Sequence, residues 1–295
     1  YMVCIIAFLS RAEAGQPNVI LIFADDQGYG DLSSFGSETI KTPHIDRLAK
    51  EGMTFTNAYA AAANCAPSRA SLMTGLYTPR HGVFTVGNSD RGKAAHRRLI
   101  PATNKTVLTR DLPTMAQILK HAGYRTAVAG KWHLSDDPIP YGFDTNFGGL
   151  KWGAPKSYFS PYRNPKLKDG PKGEHLPARL ATDLCNWIRK AEEKNERFFV
   201  YFPFYSVHTP IQARADLTAK YNGKSGTHHR NAKYAAMVEA MDLAVGQILD
   251  LLDELKLASN TLVVFTSDNG PHGGVSNARP LRGSKGMFYE GGIRE

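Results

Sequence analysis

The sequence predicts an α/β domain in which helices cover both faces of a central, mixed but mostly parallel sheet. Short apolar runs of strand length alternate along the chain with longer segments of helical periodicity, a pattern that indicates strands joined by crossover helices. Clusters of polar residues follow the apolar runs, and this is where open α/β sheets bind their ligands.

Four apolar runs are predicted to form the strands of this sheet. A parallel strand that is covered on both faces is apolar along its whole length rather than at every second residue. The runs are residues 18–24 (NVILIFA), 125–129 (RTAVA), 198–204 (FFVYFPF) and 261–266 (TLVVFT).

Helices are predicted between the strands, with Pro or a polar residue near the start and Gly just past the end of several of them. They cover residues 42–49, 113–121, 180–190 and 232–255, and a shorter helix runs from Pro67 to Gly75. The stretch 142–177 is rich in Gly, Pro, Lys and Tyr. It is predicted to be a long surface loop, and such loops are often functional.

The composition is that of a globular domain large enough to bury a core without crosslinks. Of the 295 residues 42% are apolar and 21% charged, and three cysteines are too few for a disulfide framework. The net charge of +9 would attract an anionic substrate, although a solvated basic surface explains it equally well. Because no helix-turn-helix, zinc-finger or RNA-module pattern is present, nucleic acid is not an expected partner.

Residues 1–14 are predicted to be the remnant of a signal peptide, which leaves a catalytic domain over residues 15–295. An apolar run at 2–9 precedes Ala12-Glu13-Ala14, a small-residue pattern that resembles a cleavage site. The run is too short to span a bilayer, and a frayed strand is the alternative. We therefore expect an exported protein (periplasmic, secreted or lumenal) with no stable membrane span.

Two oxygen-rich pairs close the first and last predicted strands. They are Asp25-Asp26 and Asp268-Asn269. Three carboxylates and one amide oxygen suit a hard cation such as Ca²⁺ or Mg²⁺. Ordinary turns at the ends of strands would also explain these pairs.

The segment 65–75 (CAPSRASLMTG) places Cys65 at the amino end of the short helix. Free backbone N–H groups there favour an anion, and Arg69 follows one turn later. A buried structural cysteine would fit the same segment. However, the pattern Cys-x-Pro-Ser-Arg followed by Leu-Met-Thr-Gly resembles the signature of type I, formylglycine-dependent, arylsulfatase-like sulfatases of the alkaline phosphatase superfamily.

Four further blocks resemble the same family, in the family's order. They are residues 25–31 (DDQGYGD), 123–133 (GYRTAVAGKWH), 267–270 (SDNG) and 285–294 (KGMFYEGGIR). The resemblance extends from about residue 18 to the last residue. It implies an alkaline-phosphatase-like fold and the hydrolysis of sulfate esters in a sulfated glycan or another sulfated small molecule such as an aryl sulfate.

The resemblance also implies a role for each matching residue. In this family the cysteine is oxidised by the formylglycine-generating enzyme, an expected partner, and the hydrated formylglycine is the nucleophile. Arg69 would orient it, and Lys131 and Lys285 would clamp sulfate oxygens. His133 would act on the nucleophile's geminal hydroxyl as a base, and His208 would protonate the leaving oxygen. The two oxygen-rich pairs would hold Ca²⁺, with Mg²⁺ the less favoured ion.

The sequence departs from the family's pattern in two places. Asn64 is not the usual residue before Cys65, and sulfatases usually continue beyond the point where this sequence stops, so a C-terminal subdomain is expected to be missing. A phosphonate or phosphodiester hydrolase of the same superfamily is the first alternative. A non-catalytic binding protein or inactive fragment is the second.

Most of the remaining histidines, and Cys185, are expected to have structural rather than catalytic roles. His272 is the one further candidate for lining the site, while His44 and Cys185 are expected to pack within helices. The other histidines are expected at the surface or at helix ends, and they are His81, His96, His121, His175, His228 and His229.

Overall fold

A computed structural model describes residues 15–90, 92–224 and 231–295. The predicted signal segment, Cys4, His228 and His229 lie outside the described residues. The described strands are β1 (Asn18–Ala24), β2 (Arg125–Ala129), β3 (Thr145–Phe147), β4 (Phe198–Pro203) and β5 (Thr261–Ser267). They form one sheet in the order β3-β2-β4-β1-β5.

Every strand pair of this sheet is parallel. In the centre, Leu21 of β1 lies opposite Tyr201 of β4 on one side and Val264 of β5 on the other. The carboxyl ends of the strands therefore meet at the same edge of the sheet, so the residues that follow them are brought together. The predicted α/β class and the mostly parallel sheet are confirmed.

The described helices include the five that were predicted, with differences of up to four residues at their ends, and three short helices that were not predicted. They are α1 (Pro43–Glu51), α2 (Cys65–Thr74), α3 (Thr78–His81), α4 (Met115–His121), α5 (Leu176–Glu192), α6 (Ala215–Tyr221), α7 (Ala232–Glu254) and α8 (Glu290–Ile293). None of the described helices is long and apolar enough to cross a membrane.

Helices pack on both faces of the sheet, as predicted. Side chains of β1 alternate between the faces. Ile20 and Ile22 belong to a core formed with α1, α5, α6 and α7. Leu21 and Phe23 belong to a second core formed with α2 and α4. The long helix α7 is buried along most of its length, which gives one face of the sheet its main cover.

The prediction that residues 142–177 form a surface loop is wrong in part. The stretch contains β3, and Tyr158 and Tyr162 are buried in the core. The hydroxyl of Tyr158 donates to the carbonyl oxygens of Tyr205 at 2.5 Å and His208 at 2.8 Å. Because these bonds satisfy the hydroxyl inside the protein, a polar-looking segment can enter the core.

Two histidines that were expected at the surface or at helix ends lie at helix ends but are buried. His81 closes α3, where its Nε2 lies 2.9 Å from Ser71 Oγ and its Nδ1 accepts from the backbone N–H of Val83. An acceptor Nδ1 in the neutral ring places the proton on Nε2, so this histidine donates to Ser71 and does not activate it. His175 precedes α5 and is also buried.

The edge strand β5 exposes Leu262 and Val264. A cavity of about 660 Å³ lies beside this strand and α1, and it is not the place where the predicted site residues converge.

Gly130 permits the close approach of two strands at the site edge. It has a φ of +114°, and a Cβ at this position would lie 2.0 Å from the carbonyl oxygen of Pro203. That same oxygen accepts the backbone N–H of Lys131 at 2.8 Å. A residue without Cβ is therefore required directly before this lysine.

Candidate active site

The predicted site residues converge at the carboxyl edge of the sheet. Asp25-Asp26 follow β1, Lys131 follows β2, His208 follows β4, and Asp268-Asn269 follow β5. Cys65 and Arg69 enter from α2, and Lys285 enters from the loop before α8. Lys285, His208 and His133 are partly exposed, and the other members of the predicted set are buried.

Three cationic side chains balance the three carboxylates of this cluster. Lys131 Nζ lies 2.5 Å from Asp25 Oδ2, and Lys285 Nζ lies 2.6 Å from Asp26 Oδ1. Arg69 donates from Nε and Nη2 to Asp268 Oδ2 at 3.0 and 2.8 Å. Buried charges survive only when they are paired in this way. The cluster is therefore charge-rich but compensated.

Arg69 links three elements of the site. Besides its bonds to the carboxylate after β5, its Nη1 donates to the carbonyl oxygen of Lys131 at 2.9 Å. The guanidinium also lies 5.2 Å from the ring centroid of Phe23 on β1. Because Arg is always charged and has five fixed donors, this residue fixes α2 and its first residue, Cys65, relative to the sheet.

Cys65 is buried at the first position of α2, where its Sγ lies 3.2 Å from Lys285 Nζ. Burial alone would raise the pKa of the thiol, but Lys131, Lys285 and a hydrogen bond with His208 lower this pKa to about 6. The site therefore favours negative charge at this side chain, which is the property that a bound anion or a nucleophile requires.

His208 presents one ring nitrogen to the cluster. Its Nδ1 lies 2.7 Å from the carbonyl oxygen of Thr209 and donates to it, which leaves Nε2 facing Asp26 Oδ2 at 3.6 Å. Burial lowers the pKa of His208, but Asp25, Asp26 and the hydrogen bond with Cys65 outweigh burial and raise this pKa above its ordinary value. A protonated His208 is therefore favoured close to Cys65.

The pKa of His133 is shifted in the opposite direction to that of His208. Burial, Lys131 and Arg69 hold its pKa well below the ordinary value, so the ring is neutral. It has a φ of +63° and packs against Gly153, where a Cβ would lie 2.8 Å from His133 Nε2. Among the described residues its Nδ1 has no hydrogen-bond partner, and no hydrogen bond joins it to Cys65.

The two oxygen-rich pairs have the donor atoms that a hard cation requires. Asp25 Oδ1 and Asn269 Oδ1 are buried and have no hydrogen-bond partner among the described residues. Buried oxygens are rarely left without partners, and such atoms fit the coordination sphere of Ca²⁺. Desolvation raises the pKa of Asp26 and of Asp268, a tendency that a bound cation would reverse.

Sequence reasoning missed the group that anchors the loop after β1. Asp31 is buried and accepts from the backbone N–H of Gly28 at 2.8 Å and from the Tyr234 hydroxyl at 2.5 Å. Its position at the end of the block 25–31 was the only sequence signal.

His272 was a candidate for lining the site. It is exposed and accepts from the N–H of Gly274, and no hydrogen bond or ion pair among the described residues joins it to the cluster.

The fold and the clustered residues define an α/β protein of the alkaline-phosphatase-like class. The family profile described as Sulfatase matches residues 17–295. The chain therefore belongs to the sulfatase family, and the resemblance that the motifs predicted is confirmed.

Relatives of known sequence and structure agree with this assignment. The chain is 35% identical to a sulfatase of Formosa agariphila, with 97% of this chain and 63% of the relative aligned. It is 33% identical to the N-acetylgalactosamine-6-sulfatase of Canis lupus familiaris, with 98% of this chain and 58% of the relative aligned. The chain thus spans about three fifths of the length of these relatives.

A crystal structure also resembles this chain closely. Ps i-CgsB in complex with k-i-k-neocarrahexaose has a TM-score of 0.81 and 33% sequence identity, and the match covers 95% of this chain and 64% of that chain.

Proposed function

We propose that this protein hydrolyses sulfate esters through a formylglycine nucleophile made from Cys65. The observation that carries the proposal is the position of Cys65, at the amino end of α2 and within 3.2 Å of Lys285 Nζ, inside a cluster that also holds Arg69 and Lys131. A transferring sulfate group carries negative charge on its oxygens, and preorganised cations stabilise that charge in the transition state.

Formylglycine would supply chemistry that the thiol lacks. Its hydrate offers one hydroxyl for attack on sulfur and a second for expelling the sulfate afterwards, so that covalent catalysis includes its own release step. The formylglycine-generating enzyme is then a partner during biosynthesis.

Ca²⁺ is the proposed metal, held by the oxygens of Asp25, Asp26, Asp268 and Asn269. The two buried oxygens without partners support this assignment. When bound, the cation would polarise the sulfate oxygens and neutralise their charge. Four protein oxygens suit Ca²⁺ better than Mg²⁺, which usually keeps several of its waters.

His208 is the proposed general acid. The bond from Nδ1 to the carbonyl of Thr209 fixes the ring, and Nε2 is thereby directed toward position 65. Because the neighbouring carboxylates raise its pKa, the ring holds a proton that it can transfer to the leaving oxygen.

The two lysines and His133 complete the proposed machinery. Lys285 is partly exposed and already touches the side chain at position 65, so it can contact the oxygens of a sulfate bound there, and Lys131 supports the same charge from the buried side. His133 is neutral, with a free Nδ1, which allows it to accept a proton from a hydroxyl at position 65.

The proposed substrate is a sulfated glycan, handled by an exported protein. The net charge of +9 favours a polyanionic substrate. The names of the relatives, an N-acetylgalactosamine-6-sulfatase and a protein crystallised with k-i-k-neocarrahexaose, point to sugars.

The test compares sulfate and phosphate esters of one chromogenic alcohol, using protein produced together with a formylglycine-generating enzyme. We expect faster turnover of the sulfate ester, and no turnover by Cys65→Ala, a change that creates little cavity. A preference for the phosphate ester would favour the phosphoesterase alternative, and steady turnover by Cys65→Ala would exclude the proposed nucleophile.

A further inference from the structure

Cys65 belongs to a second set of potential metal ligands that differs from the oxygen set. One ligand atom each of Asp25, Asp26, Cys65 and His208 lies within 4.8 Å of the others. A tetrahedral ion with bonds of about 2.0–2.3 Å holds its ligand atoms roughly 3.3–3.8 Å apart. His208 Nε2 and Asp26 Oδ2 already lie 3.6 Å apart, so small side-chain movements would complete the set.

The donor types of this second set select a different metal. A thiolate, an imidazole and two carboxylates are the ligands of Zn²⁺, which is bound tetrahedrally by sulfur, nitrogen and oxygen. Ca²⁺ takes oxygen ligands in larger numbers and gains little from sulfur. Whether the atom at position 65 is sulfur or oxygen therefore decides which of the two overlapping ligand sets forms the better metal site.

Two features indicate that the second set is available for binding. Asp25 Oδ1 is buried and has no hydrogen-bond partner among the described residues. In addition, the bond from His208 Nδ1 to the carbonyl of Thr209 at 2.7 Å fixes the ring with Nε2 toward the cluster, as outer-sphere carbonyls do for zinc-binding histidines.

Lys285 is the group that a metal ion would replace. Its Nζ lies 3.2 Å from Cys65 Sγ and 2.7 Å from Asp26 Oδ2. The ammonium thus neutralises the same two atoms that a dication would bind. Since this side chain is 16% exposed, it can withdraw toward solvent when an ion takes its place.

We propose that the protein with Cys65 still a thiol binds Zn²⁺ through Asp25, Asp26, Cys65 and His208. Replacing the sulfur at position 65 with oxygen removes this preference and leaves the oxygen set for Ca²⁺. Oxidation of Cys65 would then change the metal that the site selects. Only this last consequence rests on the proposed function, because zinc binding by the thiol form does not require that the protein be a working sulfatase.

The experiment uses tag-free protein in which mass spectrometry shows Cys65 to be an unmodified thiol. Zn²⁺ affinity is measured by competition with a chromophoric chelator, and Co²⁺ is used as a spectroscopic substitute. We expect one equivalent of Zn²⁺ and a thiolate-to-cobalt charge-transfer band. Loss of an outer-sphere partner typically lowers metal affinity roughly 10–100-fold. Because Cys65 and His208 are proposed as direct ligands, Cys65→Ser and His208→Ala should each lower the Zn²⁺ affinity by more than this.

The matched control is Cys185→Ser. Cys185 is the other cysteine among the described residues; its Sγ contacts the carbonyl of Gln247 on α7, and it is not part of the ligand set. This variant should bind Zn²⁺ as the wild type does, and Cys65→Ser should still bind Ca²⁺.

Two outcomes would overturn the proposal. One is a Co²⁺ complex of the wild-type protein without a charge-transfer band, a result that does not depend on the folding of any variant. The other is equal Zn²⁺ affinity for wild type and Cys65→Ser. Sulfate ester turnover by the oxidised protein is measured separately, so a failure of the zinc proposal and a failure of the proposed activity are distinguishable.

Discussion

Replacing Asp31 with Asn should stabilise the folded protein at pH 8 and change its stability little at pH 4. Asp31 is fully buried, and its hydrogen bonds come from the Gly28 N–H, the Tyr234 hydroxyl and the Ser276 hydroxyl. No lysine or arginine of the described residues pairs with it. Burial raises its pKa to about 7, although these three hydrogen bonds lower it.

The magnitude follows from the difference between the folded and unfolded pKa values. The rise from 3.8 to about 7 corresponds to about 4 kcal/mol at about 1.4 kcal/mol per pKa unit. Because the folded pKa is the higher one, the folded state binds more protons between these values. The stability contributed by Asp31 is therefore complete below pH 3.8 and is lost as the pH rises through about 7. Asn has no such dependence, and its amide can accept from Gly28 and donate to the Ser276 oxygen.

The assay is urea unfolding of wild type and Asp31→Asn at pH 4, 6 and 8, with a chelator present throughout. We expect the difference in unfolding free energy to grow with pH toward 4 kcal/mol in favour of the variant. Asp136→Asn, which changes an exposed carboxylate, should show only a small difference. An equal loss of stability for Asp31→Asn at all three pH values would contradict the raised pKa of Asp31, since it would mean that the folded state holds Asp31 ionised throughout.

Three further predictions concern the site edge. Gly130→Ala should prevent folding, because its Cβ would lie 2.0 Å from the last carbonyl oxygen of β4; Gly36→Ala, also at positive φ but with open space around it, should cost only about 1–2 kcal/mol in a thermal melt. Arg69→Met should destabilise the protein by about 3–5 kcal/mol in urea unfolding, because a buried carboxylate loses its partner; an effect below 1 kcal/mol would show that the pair contributes little. For His208, activity should fall as the pH rises above its raised pKa, and His208→Gln should lose that alkaline limb; an unchanged pH profile would exclude it as the acid.

Much of this fold followed from local sequence patterns. The run 18–24 predicts β1 residue for residue, because a strand buried on both faces is apolar throughout and its polar neighbours end it sharply. By contrast, β3 has only three residues, Thr145–Phe147, each partly exposed, so neither periodicity nor hydrophobicity marks it.

The residues that meet at the site could be predicted where strand topology alone brings them together. Residues that follow parallel strands must meet at one edge, which is why Asp25 and Asp268 could be paired from sequence. The choice of ionic partner could not be foreseen, since it depends on side-chain reach across the cluster, as in the contact of Lys285 with Asp26. The bond between Asp31 and Tyr234 joins residues 203 positions apart, and no local pattern encodes it.

The proposed catalysis depends most on an oxygen nucleophile at position 65, and one measurement tests this directly. Turnover of an aryl sulfate is measured for preparations that differ in the fraction of Cys65 converted to formylglycine, with that fraction determined by mass spectrometry of the peptide that contains it. We expect the rate to rise in proportion to the converted fraction and to extrapolate to zero for the pure thiol form. A thiol preparation that hydrolyses the ester as fast as the converted one would contradict the proposed formylglycine nucleophile.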